Sequence, residues 1–126
     1  MKNKFFEEMW NTLKAYEEAR ANGERPEHPY TPGQTEAARS YFYGGSKVED
    51  EILVGSGLWE KDIPDFIDTL RKAGIKSLVT TDHSTGLMEN LHGFEAEGCK
   101  LEGLCKITEE DFLGGTREIQ AIRFSL

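Results

Sequence analysis

Apolar side chains recur every three or four positions over residues 3–21, where Phe5, Phe6, Met9, Trp10, Leu13 and Tyr16 form one broad stripe. That spacing predicts an amphipathic helix. Glu7, Glu8, Lys14, Glu17, Glu18 and Arg20 cover most of its remaining surface, and Asn22-Gly23 supplies a stop. Such a stripe normally docks on its own domain, because an undocked aromatic face invites aggregation. The sharper alternative is an interaction surface made of Phe5, Phe6, Met9, Trp10 and Leu13. Pro26, Pro29 and Pro32 follow at a strict spacing of three, which reads as a stiff connector and, less commonly, as a PxxP ligand. A short helix is then expected, with Thr35 as its N-cap, running into Tyr41-Phe42-Tyr43 and halting at Gly44-Gly45.

From residue 51 the period alternates. Ile52-Leu53-Val54 is a short apolar strand ended by Gly55-Ser56-Gly57. Asp62 is placed to cap a helix with Pro64 in its first turn, whose inner face is Ile63, Phe66, Ile67, Leu70 and Ala73. Gly74 closes it, and 75–80 is the next strand. Ser84 or Thr85 would cap a second helix with Leu87, Met88, Leu91 and Phe94 inward and Gly98 as its stop. A third strand spans 99–107, and a last one, 117–124, pairs back on it as an antiparallel hairpin across Gly114-Gly115. The expected fold is α/β: a small mixed four-stranded sheet built from β-α-β-α-β plus the C-terminal hairpin strand, covered by helices. Residues 1–23 form the N-terminal helix, 24–45 the connector and short helix, and 46–126 the core, all within one domain.

Length and composition narrow the function more by exclusion than by assignment. A chain of 126 residues with 37% hydrophobic and 30% charged positions can bury one workable core. The formal charge of −8 speaks against nucleic acid, which needs clustered Lys and Arg, and the one adjacent basic pair, Arg71-Lys72, complements a helix C-terminus. No apolar run is long enough for a bilayer, and the N-terminus leads into a polar-faced helix and not a secretory leader, so a cytoplasmic location is expected. Cys99 and Cys105, six apart on one strand, would lie about 20 Å from each other, beyond the roughly 7 Å that a disulfide spans. Their even spacing would put both on one face. With three His and two Cys there is no metal-ligand pattern, and no cofactor is expected.

One junction concentrates polar chemistry. Thr81, Asp82, His83, Ser84 and Thr85 lie where a strand ends and a helix begins, the side on which open α/β sheets bind ligands and free helix N–H groups attract anions. Glu89 and His92, three apart, extend that patch one helical turn away as a candidate acid–base stripe. An ordinary polar turn followed by a capped helix explains the same residues. Adjacent Ser and His are no evidence of a catalytic pair, and the glycine spacing of a nucleotide loop is missing. Gly93 inside a helix suggests a close approach by a backbone, a ligand or a packed strand. Trp59 could wall a pocket or staple the next helix to the core.

The run Ser84-Thr85-Gly86-Leu87-Met88-Glu89-Asn90-Leu91-His92-Gly93-Phe94, with Gly98-Cys99, Gly103-Leu104-Cys105 and the terminal Ile119-Gln120-Ala121-Ile122-Arg123-Phe124, resembles a family of small uncharacterised domains from gut-type bacteria and their mobile elements. That resemblance covers most of the chain after Gly44 and implies a bacterial, cytosolic origin, but no activity and no functional residue. The leading expectation is a non-enzymatic, acidic protein-interaction module of regulator or inhibitor type, acting on a protein partner or on itself. A small-molecule or anion site at 80–86 is the second.

Overall fold

The computed structural model describes residues 3–44, 50–54, 57–81, 86–110 and 112–126. Four helices, α1 (Lys4–Ala21), α2 (Pro32–Tyr43), α3 (Ile63–Lys72) and α4 (Leu87–Ala96), accompany strands β1 (Glu51–Leu53), β2 (Ser77–Thr81), β3 (Lys100–Glu110) and β4 (Thr116–Ser125). The sheet order is β1-β2-β4-β3. β1 and β2 are parallel across the α3 crossover, and β4 is antiparallel to both its neighbours. β4 thus returns from the hairpin and inserts between β2 and β3.

Helix ends follow local chemistry. At the close of α3, Ile75 N–H reaches Leu70 O at 3.0 Å around Gly74 at φ +80°, and at the close of α4, Cys99 N–H reaches Phe94 O at 3.0 Å around Gly98 at φ +85°. Only glycine takes that left-handed turn without strain. The start of α2 departs from expectation. Its N-cap is Thr31, not Thr35: Thr31 Oγ1 accepts from Gln34 N–H while Gln34 Oε1 accepts from Thr31 N–H, with Pro32 in the first turn. This capping box satisfies two orphan donors at once and recruits the last of the three prolines into the helix.

Ile52, Leu78 and Phe124 face the helices in one core with Phe66, Ile67, Leu70 and Phe94. α2 meets α3 through small residues. Gly33, Ala37 and Ser40 are buried, and a Cβ added at Gly33 would strike Asp62 O and sit 2.8 Å from Asp65 Cβ. Gly93 has a related cause: its missing Cβ leaves room for Ile63 Cδ1, which would otherwise lie 2.5 Å away. The close approach there is between helices α3 and α4.

Three expectations are corrected by this packing. Met88 is exposed, and Asn90 is buried in its place, its Nδ2 donating to Leu58 O at 3.3 Å. Gly86 at φ +73°, not a hydroxyl side chain, occupies the N-cap of α4. The cysteines do not share a face, because a bulge between Leu101 and Gly103 adds a residue to β3 and shifts the alternation. Cys99 joins the helix-side core, where burial pushes its thiol pKa up, while Cys105 pairs with Ala121 on the opposite face.

On that second face Glu51 ties three strands together. Its carboxylate accepts from Ser77 Oγ at 2.8 Å and from Arg123 Nε at 2.9 Å and Nη2 at 3.3 Å. Burial alone would raise the Glu51 carboxyl, but the bonds from Arg123 and Ser77 outweigh it and hold the group below its ordinary 4.5. A depressed folded value stabilises the fold above the unfolded value, and the gain is lost as pH falls through the folded one. Urea midpoints should therefore drop more steeply for the native chain than for Glu51→Gln as pH is lowered from 4.5. Equal slopes would mean that the triad contributes nothing.

Candidate functional site

Thr81, the last residue of β2, is buried beside Ala121. Asp82, His83, Ser84 and Thr85 lie outside the described residues. Glu89 and His92 are on α4 and exposed. An added Gly86 Cβ would sit 3.5 Å from Glu89 Oε2, so this carboxylate stands over the first turn, where an anion favours the helix dipole. His92 faces elsewhere, into a groove described below. Among the described residues no group of three or more His, Cys, Asp or Glu is placed to hold a metal.

The N-terminal stripe is largely internal. Phe6 is 0% exposed and stacks on Tyr41 at 4.7 Å between ring centres, and Met9 is buried. Phe5 and Leu13 pack partly against the core, and Trp10 lies on Phe42 at 4.8 Å. Asn3 fixes the start of α1: its Oδ1 accepts from Phe6 N–H at 3.2 Å, its Nδ2 donates to Ala73 O at 2.8 Å, and its backbone N–H donates to Tyr41 Oη at 3.0 Å. The surface left over beside Trp10, Leu13, Arg39 and Tyr43 is a groove of about 740 Å³.

A second cleft of about 440 Å³ follows β1, between the connector and the turn before α3. Glu36, Asp62, Arg39, His28, Tyr30 and Trp59 line it. Trp59 is exposed here, while Leu58 supplies the buried anchor. Burial raises the Glu36 carboxyl, opposed by Arg39 and reinforced by Asp62. An aromatic wall beside a carboxyl of raised pKa can hold a small polar ligand. Sequence inspection finds only Trp59 of this set, since the others meet through the α2 crossing.

Two large apolar side chains are also exposed on β3. Leu101 pairs with Phe124 and Leu104 with Ile122, so both side chains stand on the helix-bearing face. α4 does not cover them: Leu104 is 86% exposed and Leu101 66%. With Leu91, His92 and Ile122 they line a groove of about 290 Å³ whose surface is mainly apolar. Among the described residues β3 is also the sheet edge, hydrogen-bonded to β4 alone. Toward its tip the hairpin carries the cross-strand pairs Lys106–Glu118 at 3.6 Å and Arg117–Glu109 at 3.8 Å and an exposed Phe112-Leu113. The signal available in the sequence was the polar, lysine- and glutamate-rich alternation of residues 100–110, which marks an edge strand.

The family model described as a domain of unknown function, DUF7698, matches residues 36–126. Comparison with curated proteins and with solved structures returns no match. α1, the connector and the cap of α2 precede the matched segment, yet Phe6 and Met9 lie in its core. No helix among the described residues is long and apolar enough to cross a membrane.

Proposed function

Since the chain belongs to the DUF7698 family of domains of unknown function, we propose from its geometry that it is a small acidic protein-interaction module working through the open edge of β3. The observation that carries this is the coincidence, on one strand, of unpaired backbone and exposed leucines. An edge strand offers its free N–H and C=O groups to another chain, and neighbouring apolar pockets give the contact specificity. Leu101 and Leu104 stand beside a ready groove, where isolated exposed leucines would carry no such meaning. The bacterial and mobile-element setting implied by the resemblance fits a cytoplasmic regulator or inhibitor that acts by contact. A reaction is not required.

A photoreactive amino acid placed at position 104 and irradiated in cells tests this. A discrete protein adduct at 104, lost when Leu101 is changed to Asp in the same chain, is the expected result. Adducts no more abundant than those from a photoreactive residue at the exposed helix position Glu18 would overturn the proposal.

A further inference from the structure

We infer that the cleft between the connector, α2 and the turn before α3 binds a small organic cation, an amine or a guanidine, held by the carboxylates of Glu36 and Asp62 beside the Trp59 indole. It shares no lining residue with the groove along β3 and is independent of the interaction surface there. The helix crossing brings the two carboxylates together. Gly33 packs α2 onto the backbone of Asp62, where an added Cβ would strike Asp62 O. Glu36 follows three residues later on the same face of α2. Its carboxylate oxygens would lie 3.3 and 3.4 Å from a Cβ on Gly57, so the bare backbone at Gly57 leaves the space that the carboxyl occupies.

Asp62 sits at the N-cap of α3, yet its side chain makes no capping hydrogen bond and lines the cleft instead. Among the described residues no ion pair occupies either carboxylate. Burial raises the Glu36 carboxyl, Arg39 opposes the rise and the charge of Asp62 adds to it. Neighbouring anionic groups that disfavour each other's ionisation are relieved by a bound cation. Among the described residues no third His, Cys, Asp or Glu joins them to complete a metal shell. The aromatic wall suits an organic cation. Trp59 is 67% exposed while Leu58 beside it is buried, so the indole stands in the cleft wall with Tyr30. Aromatic rings attract ammonium and guanidinium groups by cation–π interaction. Arg39 offsets one of the two negative charges, which suits the cleft to a single positive head group. His28 is tied to the connector, its Nδ1 2.8 Å from Tyr30 O. The volume of about 440 Å³ lies within the range of small-molecule sites.

Titration of the full chain with butylguanidine, butylamine and the uncharged butylurea, followed at the indole N–H resonances by heteronuclear NMR, tests this. Saturable shifts at Trp59 with the cations, and none with butylurea, are expected. Glu36→Gln and Asp62→Asn should each weaken binding at least about tenfold. Glu8→Gln, at an exposed position of α1, should leave it unchanged. Trp59→Ala should weaken binding while circular dichroism shows the fold intact, since the side chain is exposed. Shifts that are absent, or that rise linearly and spread over the acidic surface, would overturn the inference, as would equal binding of butylurea. N-acetylarginine methylamide bound more tightly than butylguanidine would also overturn it, by making the cleft the seat of an arginine side chain from a protein. None of these outcomes bears on cross-linking from position 104, which judges the β3 edge separately.

Discussion

Phe6→Ala should destabilise the domain by about 3–5 kcal/mol, the range for emptying a fully buried aromatic site. Phe6 is 0% exposed, stacked on Tyr41 and touched at its edge by Phe5. The cavity would open where α1, α2 and the end of α3 meet, a junction already held by Asn3 through Ala73 O and Tyr41 Oη. Little collapse is available there, so the cost should lie toward the upper end. Urea unfolding followed by tryptophan fluorescence measures it. A change under about 0.5 kcal/mol, ordinary for surface positions, would mean that α1 is an appendage and not part of the folding unit. The family match begins at residue 36, so this substitution also asks whether the cooperative unit is larger than the matched segment. A cost in the predicted range says that it is.

Gly33→Val should cost up to about 3 kcal/mol by overpacking. A Cβ at Gly33 meets the backbone O of Asp62 and stands 3.0 Å from Phe66 N. Backbone cannot swing aside as a side-chain tip can, so α2 and α3 must separate along their shared line, which loosens the packing of the buried Ala37 and Ala38 of α2. Gly93→Ala is the informative comparison. Its clash is with Ile63 Cδ1, a side-chain end, and about 1 kcal/mol of helix propensity works in favour of alanine. Paired denaturation curves should show a clear loss for Gly33→Val and a smaller net change for Gly93→Ala. Equal costs would show that the α2–α3 approach is no tighter than the α3–α4 approach.

The elements that a periodic pattern encodes are legible in the sequence itself. The stripe of α1, the inner face of α3, the glycine stops at 74 and 98 and the C-terminal hairpin all depend on neighbours a few residues apart. What escaped depends on distant partners or on a single inserted residue. The bulge at Leu101–Gly103 reversed the relation of Cys99 to Cys105, and no alternation count reveals a bulge. Thr31 was overlooked as a cap because the proline spacing around it suggested an extended connector, although T-P-G-Q is a capping box in plain view. Met88 is assigned inward on hydrophobicity alone, whereas the structure leaves it exposed and buries Asn90. The cleft around Glu36 is assembled from the connector, α2 and the turn before α3, so only its Trp59 is visible in the sequence. Of the polar junction at 81–85, Thr81 is a buried strand end, and the rest lies outside the described residues.

The insertion of β4 between β2 and β3 has a consequence for how the chain is made. During synthesis the N-terminal parts emerge first, at roughly 5–20 residues per second. β1, α3 and β2 can assemble as they appear, but β3 then leaves the ribosome with no strand beside it on either side. Its proper neighbour is the last of the four in chain order, and it must thread into the middle of the sheet between two strands already present. The β2–β4 pairing joins strands separated by α4 and β3, and such non-local contacts form slowly. For that interval the open side of β2 and both sides of β3 are unpaired, whereas in the finished sheet only the outer sides of β1 and β3 are edges. Released chains truncated at Gly115 would be held in that state, and chaperones bound to them would mark it.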